Sequence, residues 1–313
     1  MNYPTTGNRI DEIDLTKWGI DTTCQLSLLR TDLNNVGLMH PNNQLLNGNK
    51  LYKLKHNISF VKENNVVGLL TFGGAFSNHL HAVAAAGNLF NFKTIGIVRG
   101  EEWQKKSNPT LDFCVSTGMQ FKFWSRTNYR QNTLASVVEQ LINDYPNYLI
   151  VPEGGNNALA LKGTKEILDK TTTHFNTICC PVGTGGTLAG IYLTKQIEQA
   201  LIGFASVKML YKTALQKILQ KENTEIKEDL LINYDYTFGG FAKTNQPLIK
   251  FINRFKAIYN IQLEPLYTGK MLFGIFEMIT NKCFESNQKI LAIHTGGLQG
   301  IKGFNQLNEN VLC

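Results

Sequence analysis

Short apolar runs that lead into paired glycines, each followed by a segment of helical character, constrain this chain more than any other feature. Val66–Phe72 runs into Gly73-Gly74 and then into an Ala-rich helix over Asn78–Gly87. Lys93–Arg99 reads as a strand and Pro109–Gly118 as helical; Met119–Trp124 alternates as a strand does and precedes an amphipathic helix over Leu134–Asp144. Tyr148–Pro152 reads as a strand, with Gly154-Gly155 opening a helix through Asp169, and Thr177–Val182 as a buried strand before Gly183-Thr184-Gly185-Gly186-Thr187 and a helix to about Gln199. A strand over Leu201–Ala205, helices over Leu210–Gln220, Leu248–Tyr259 and Gly269–Asn281, and a last strand over Lys289–Ile293 before Thr295-Gly296-Gly297 complete the pattern. Strands alternating with helices of this length imply βαβ crossovers, hence an α/β fold with mostly parallel sheets. In such sheets ligands bind beyond the carboxyl ends of the strands, where these glycine pairs fall.

The length, 313 residues, suits two domains or one large one, and 43% hydrophobic residues suffice for a sizeable core. The net charge of +7 comes from basic residues scattered along the chain, with no Lys/Arg-rich block; a nucleic-acid partner would call for a basic stripe, and the excess reads as an ordinary solvated surface that could also help attract anionic ligands. Met1–Thr16 is polar and acidic and has no signal-peptide order, no apolar run approaches the length of a membrane span, and no fixed-period repeat or low-complexity segment occurs. None of the six cysteines forms a C-x-x-C, and Cys179-Cys180 sits in an apolar run; they read as reduced core thiols of a cytoplasmic protein.

Three segments carry chemistry. In Gly183–Thr187, between a strand and a helix, glycines let several backbone N–H groups converge, which suits a phosphate; the bland reading is a tight strand-to-helix turn. The loop is neither a Walker A motif nor G-x-G-x-x-G. In Asn47-Gly48-Asn49-Lys50-Leu51-Tyr52-Lys53-Leu54, Lys53 stands one helical turn from Lys50, so one cation can depress the other's pKa, as a Schiff-base lysine needs; two solvated surface lysines are the alternative. Gly73-Gly74-Ala75-Phe76-Ser77-Asn78-His79 offers a hydroxyl and an amide at a helix start, where Ser77 can equally be an N-cap and Asn78 a turn residue.

The order of the segments Gly-Asn-Lys-x-x-Lys-Leu, Ser-Asn-His, Gly-Gly-x-Asn, Gly-Thr-Gly-Gly-Thr, Tyr-Thr-Gly-Lys and His-Thr-Gly-Gly resembles the 1-aminocyclopropane-1-carboxylate (ACC) deaminase / D-cysteine desulfhydrase family, over about residues 45–305. That family belongs to the tryptophan-synthase-β-like, fold type II pyridoxal-phosphate (PLP) enzymes. The resemblance implies two three-layer α/β/α domains: residues 1–53 and 161–313 would form the larger, cofactor-binding domain and residues 54–160 a smaller inserted one, in a homodimer. It implies that Lys50 forms the Schiff base, that Lys53 helps hold the phosphate, and that Asn78 lies beside the cofactor's ring hydroxyl. It makes Ser77 and Tyr267 residues that face the substrate or take part in catalysis. Gly183, Thr184, Gly185, Gly186 and Thr187 would be the phosphate cradle, and Thr268 and Thr295 would lie near the pyridine nitrogen.

The chain departs from the family pattern with Phe76 where Gln is common before Ser-Asn, with Leu51-Tyr52 in place of Thr-Arg, and with Thr268 where the cyclopropane deaminases have a glutamate. A carboxylate holding the pyridine nitrogen protonated deepens the electron sink; a threonine does so less. The expected reaction on the small amino-acid substrate is therefore β-elimination from D-cysteine, giving pyruvate, ammonia and sulfide, with ACC deamination as the alternative. Other classes are a catalytically silent PLP-binding homologue and a nucleotide-binding α/β protein, which would have no need of Lys50. His79 and His81 are two apart and point different ways on a helix, so no metal site is expected; His294 borders the cofactor at most, and Trp103 and Phe241 are core or pocket aromatics.

Overall fold

The computed structural model describes residues 9–34, 46–206, 211–240, 242–309 and 311–313; Phe241 and Leu210, named above, lie outside them. The elements run in the order β1 (Ile10–Ile13), β2 (Gln25–Leu29), α1 (Gly48–Glu63), β3 (Gly68–Gly74), α2 (Asn78–Phe90), β4 (Lys93–Arg99), α3 (Pro109–Ser116), β5 (Gln120–Trp124), α4 (Arg126–Tyr129), α5 (Ala135–Asp144) and β6 (Tyr148–Val151). They continue as α6 (Ala158–Thr164), β7 (Thr177–Val182), α7 (Gly186–Tyr192), β8 (Ala200–Ala205), α8 (Tyr211–Gln220), β9 (Leu230–Asn233), α9 (Gln246–Tyr259), α10 (Thr268–Thr280), β10 (Lys289–Ile293) and α11 (Gly300–Leu307). Among the described residues no helix is long and apolar enough to cross a membrane.

The strands form two sheets, one ordered β1-β2-β10-β7-β8-β9 and the other β5-β4-β3-β6. Every pairing is parallel except β1 with β2. Alternate residues of each strand feed opposite faces, so each sheet is sandwiched between helices. In the larger sheet Cys179, Ile290 and Ala292 pack with α9 and α10, while Ile178, Cys180, Leu291 and Ile293 pack with α7 and α8. In the smaller, Leu69, Val98 and Val151 meet α1, α2 and α3, and Leu70, Phe72, Ile95 and Ile97 meet Tyr129 of α4 and Leu141 of α5. Each such fully buried aliphatic side chain contributes about 1.5–3 kcal/mol.

Several sequence expectations need correction. Gly154-Gly155 opens no helix: both glycines have positive φ, and α6 starts only at Ala158, where Asn157 Oδ1 accepts from Ala160 N at 2.8 Å, and it ends at Thr164 rather than Asp169. The helix after Gly183–Thr187 ends at Tyr192, well before Gln199. Cys114, Cys179 and Cys180 are buried thiols, but Cys283 and Cys313 are exposed. The strands β1, β2 and β9 and the helix α11 have no counterpart in the sequence reading.

A split in the larger sheet positions the site. Pro181 has no N–H to extend a ladder. The β10–β7 pairing ends at Ala292↔Cys179, whereas β7 stays paired with β8 as far as Val182↔Ala205. The carboxyl ends of β10 and β7 thus part where the loops after them begin.

Candidate active site

Helix α1 delivers two amines to this opening. Its first residue, Gly48, has φ +62°, and a Cβ there would collide with the Thr295 carbonyl oxygen; Asn49 N donates to that carbonyl at 3.1 Å. The start of α1 is thereby pinned to the loop that follows β10. From there Lys50 Nζ donates to Gly154 O over 3.4 Å, and Lys53 Nζ, one turn on, donates to the same oxygen at 2.7 Å and to Asn156 Oδ1 at 2.8 Å. Lys53 is 2% exposed, so the solvated-surface reading of this residue is excluded. Removal from water pushes the Lys50 amine down to about 8, and burial together with the charge of Lys50 depresses Lys53 well below the usual lysine range.

Asn156 ties the amines to the loop after β7. Its Nδ2 donates to Thr184 O at 2.8 Å, and a Cβ on Gly186 would collide with its Oδ1 and lie 3.2 Å from Lys53 Nζ. Asn49 Nδ2 donates to Thr187 Oγ1 at 2.9 Å. The ring edge of Tyr267 comes within 3.1 Å of where a Cβ on Gly183 would stand. Lys50, Lys53, Gly183–Thr187 and Tyr267 therefore converge.

The smaller sheet supplies the facing wall. Ser77 Oγ accepts from His79 N at 3.2 Å and Leu80 N at 3.3 Å, capping α2. Asn78 Nδ2 stands 2.8 Å from the position a Cβ on Gly297 would take, which sets the start of α2 against the loop after β10. Trp103 packs edge-on to Phe76, ring centroids 5.3 Å apart. His81 stacks on Phe113 at 3.9 Å, away from any such convergence.

The two threonines part company. Thr268 is fully buried; its hydroxyl donates to Glu264 Oε1 at 3.1 Å, and the same carboxylate accepts from the backbone N–H groups of Leu266, Tyr267 and Thr268. Both side chains are thus engaged in starting α10. Thr295 instead follows β10 in the loop against α1. Behind it His294 Nε2 donates to Gln262 O at 2.8 Å and its Nδ1 accepts from Gly296 N at 3.2 Å, a neutral ring that burial pushes below the usual histidine range. Gly154, Asn156, Glu264 and His79 were not singled out as site residues by sequence; for Gly154 the signal was the Gly-Gly-x-Asn segment, in which Asn156 holds the unspecified position. Among the described residues no cluster of His, Cys, Asp or Glu is arranged to hold a metal ion.

This is the architecture of the tryptophan-synthase-β-like, fold type II PLP-dependent enzymes. A solved structure described as an ACC deaminase homologue superposes with a TM-score of 0.80 at 20% identity, covering 97% of this chain and 94% of that one. In sequence the chain is similar to proteins named ACC deaminase and D-cysteine desulfhydrase, as the order of its motifs implies. It is 28% identical over 290 residues to a putative ACC deaminase of Pyrococcus abyssi, across 87% of this chain and 84% of that protein. It is 27% identical over 281 residues to the mitochondrial bifunctional D-cysteine desulfhydrase/ACC deaminase of Arabidopsis thaliana, across 82% of this chain and 70% of that protein. No family model matches the chain.

Proposed function

We propose that the chain is a PLP-dependent lyase of the D-cysteine desulfhydrase type, converting D-cysteine and water to pyruvate, sulfide and ammonia. The observation that carries the reading is the meeting of Lys50 and Lys53 on the Gly154 carbonyl, next to a glycine loop where a Cβ on Gly186 would collide with Asn156 Oδ1, the acceptor of Lys53. That donor set fits the cofactor. An amine pushed down to about 8 is unprotonated often enough to react with an aldehyde, and the Lys53 amine beside the glycine loop before α7 suits a phosphate, whose charge would favour the ammonium form. In this reading Lys53 and Gly183–Thr187 would hold the phosphate, Asn78 the ring hydroxyl and Lys50 the aldehyde. Thr295 would face the ring nitrogen, since the Thr268 hydroxyl is engaged by Glu264. When bound, PLP supplies the electron sink for the substrate's α-carbon.

Lys50, once displaced by the substrate amine, would act as general base at the α-proton. Tyr267, against Gly183, and Ser77, at the start of α2, would face the substrate. Thiolate is a good leaving group and needs no deep sink. Opening a cyclopropane demands more, and the Glu264 carboxylate is already engaged, accepting from three backbone N–H groups and the Thr268 hydroxyl. The second reading, deamination of ACC to 2-oxobutanoate and ammonia, is favoured by the names of the relatives. The homodimer that the resemblance implies belongs to the same proposal, and light scattering checks it.

Purified protein supplied with PLP and given D-cysteine, L-cysteine or ACC separates the readings when keto acid is measured. Turnover of D-cysteine with sulfide release is expected. Turnover of ACC alone would overturn the preference for β-elimination, and a yellow protein inert to all three would identify a silent homologue.

A further inference from the structure

Phe76 departs from the family pattern and has no part in the roles described so far. It precedes Ser77 and Asn78 at the start of α2 and meets the segment that follows β10. There Gly297, Gly300 and Gly303 recur at every third position. A Cβ on Gly297 would stand 2.8 Å from Asn78 Nδ2, one on Gly300 3.2 Å from Asn78 Oδ1, and one on Gly303 2.9 Å from Phe76 Cδ1. Three missing side chains thus let residues 76–78 lie against this segment. Neither Gly300 nor Gly303 has a positive φ, and both belong to α11, where glycine is less favourable than alanine. Close approach, not backbone freedom, is what these two glycines serve.

The Phe76 ring is itself held. Trp103 meets it edge-on, with centroids 5.3 Å apart and planes at 90°, an arrangement that favours one ring orientation. Asn78 has no comparable anchor of its own: among the described residues its side-chain amide makes no hydrogen bond, so packing against Gly297 and Gly300 is what orients it. We infer that Phe76 is a positioning residue: its ring, seated at Gly303 and braced by Trp103, holds the start of α2 against the segment after β10. That contact sets the Asn78 amide and the Ser77 hydroxyl in the facing wall of the site. The inference deepens the proposed function and rests on that reading for what Asn78 and Ser77 would touch.

Full-length variants separate positioning from mere packing: Phe76→Gln, Phe76→Leu, Gly303→Ala and the double variant Phe76→Gln/Gly303→Ala. Phe72→Leu, which loses a buried ring packed with Tyr129 on the other face of the smaller sheet, is the control. Without PLP, hydrogen exchange is followed over residues 76–80 and 297–303. Phe76→Gln and Gly303→Ala are each expected to speed exchange in both segments about tenfold, within the range of couplings between touching residues. The sign of Gly303→Ala should then reverse: it lowers the melting temperature beside Phe76 and raises it beside Gln, where only helix preference is left to act. With PLP bound, the pH midpoint of its visible absorbance reads the wall. A displacement of about one pH unit, tenfold in proton affinity, is expected in Phe76→Gln, with near wild-type midpoints in Phe76→Leu and in the less stable Phe72→Leu. An equal effect of Gly303→Ala in both backgrounds, unchanged exchange over residues 297–303, or a midpoint that follows melting temperature across all variants would overturn the inference. Borohydride reduction reports separately on the proposed function: an adduct elsewhere than Lys50 defeats that reading, while the exchange and melting comparisons still decide the part played by Phe76.

Discussion

Gly48 shows how much of the candidate site hangs on single residues. Its φ of +62° and the absence of room for a Cβ let the Thr295 carbonyl cap the start of the helix that carries Lys50. Gly48→Ala combines a left-handed backbone, which costs about 1–2 kcal/mol for a residue with a side chain, with a collision against backbone. A loss of about 3 kcal/mol or more is expected in urea denaturation, with reduced PLP attachment in the folded fraction. His81 offers a test of another kind. Burial pushes its imidazole down to about 4, so the unfolded chain binds the proton more readily than the folded one. Its contribution to stability is complete above the unfolded value near 6.5 and drains as the pH falls towards 4, by about 1.4 kcal/mol per pH unit. His79 and His294 are depressed as well and act in the same direction. His81→Phe, which keeps a ring stacked on Phe113, should flatten the fall in urea midpoint between pH 6.5 and 4.5; an unaltered slope would mean that the ring titrates normally in the folded chain.

Among the elements, α10 joins the site to the segment before α9. Near its start Lys270, 2% exposed, donates to Thr237 O at 2.9 Å and Gly240 O at 2.8 Å, with Ser206 O at 3.5 Å. Burial pushes this amine down to about 8, with Glu264 countering. Removing the ammonium strands buried carbonyls, so Lys270→Met is expected to lose about 2–4 kcal/mol and to raise amide hydrogen exchange over residues 234–240. Exchange unchanged in that segment would show that the lysine does not tie it down. The elements legible in the sequence share one property: Lys93–Arg99, Thr177–Val182 and Lys289–Ile293 are strands covered on both faces, which makes their apolar runs continuous. The short β1, with Asp11 and Glu12 in its four residues, carries no such run, and β9, also at a sheet edge, has only the three residues Leu230-Leu231-Ile232. Gly154-Gly155 misleads because a glycine pair after a strand marks a change of direction, and only the φ values distinguish a turn from a helix start.

At the scale of the whole molecule, the two sheets bring together segments that are far apart in sequence. Lys53 meets Gly154 and Asn156 from about a hundred residues away, and Thr295 closes over Gly48 from further still. Local pattern cannot show such meetings. That is why Lys50 and Gly183–Thr187 stood out from their own neighbours and from the order of the motifs, while Asn156, Glu264 and His79 emerged only from the packing. In the proposed function Lys50 is the amine that carries the cofactor beside this loop. Protein incubated with PLP, reduced with borohydride, digested and mapped by mass spectrometry tests it directly. A pyridoxyl adduct is expected on the peptide containing Lys50 and none in Lys50→Ala; an adduct on Lys53 or Lys270 instead, or on no lysine at all, would overturn that assignment.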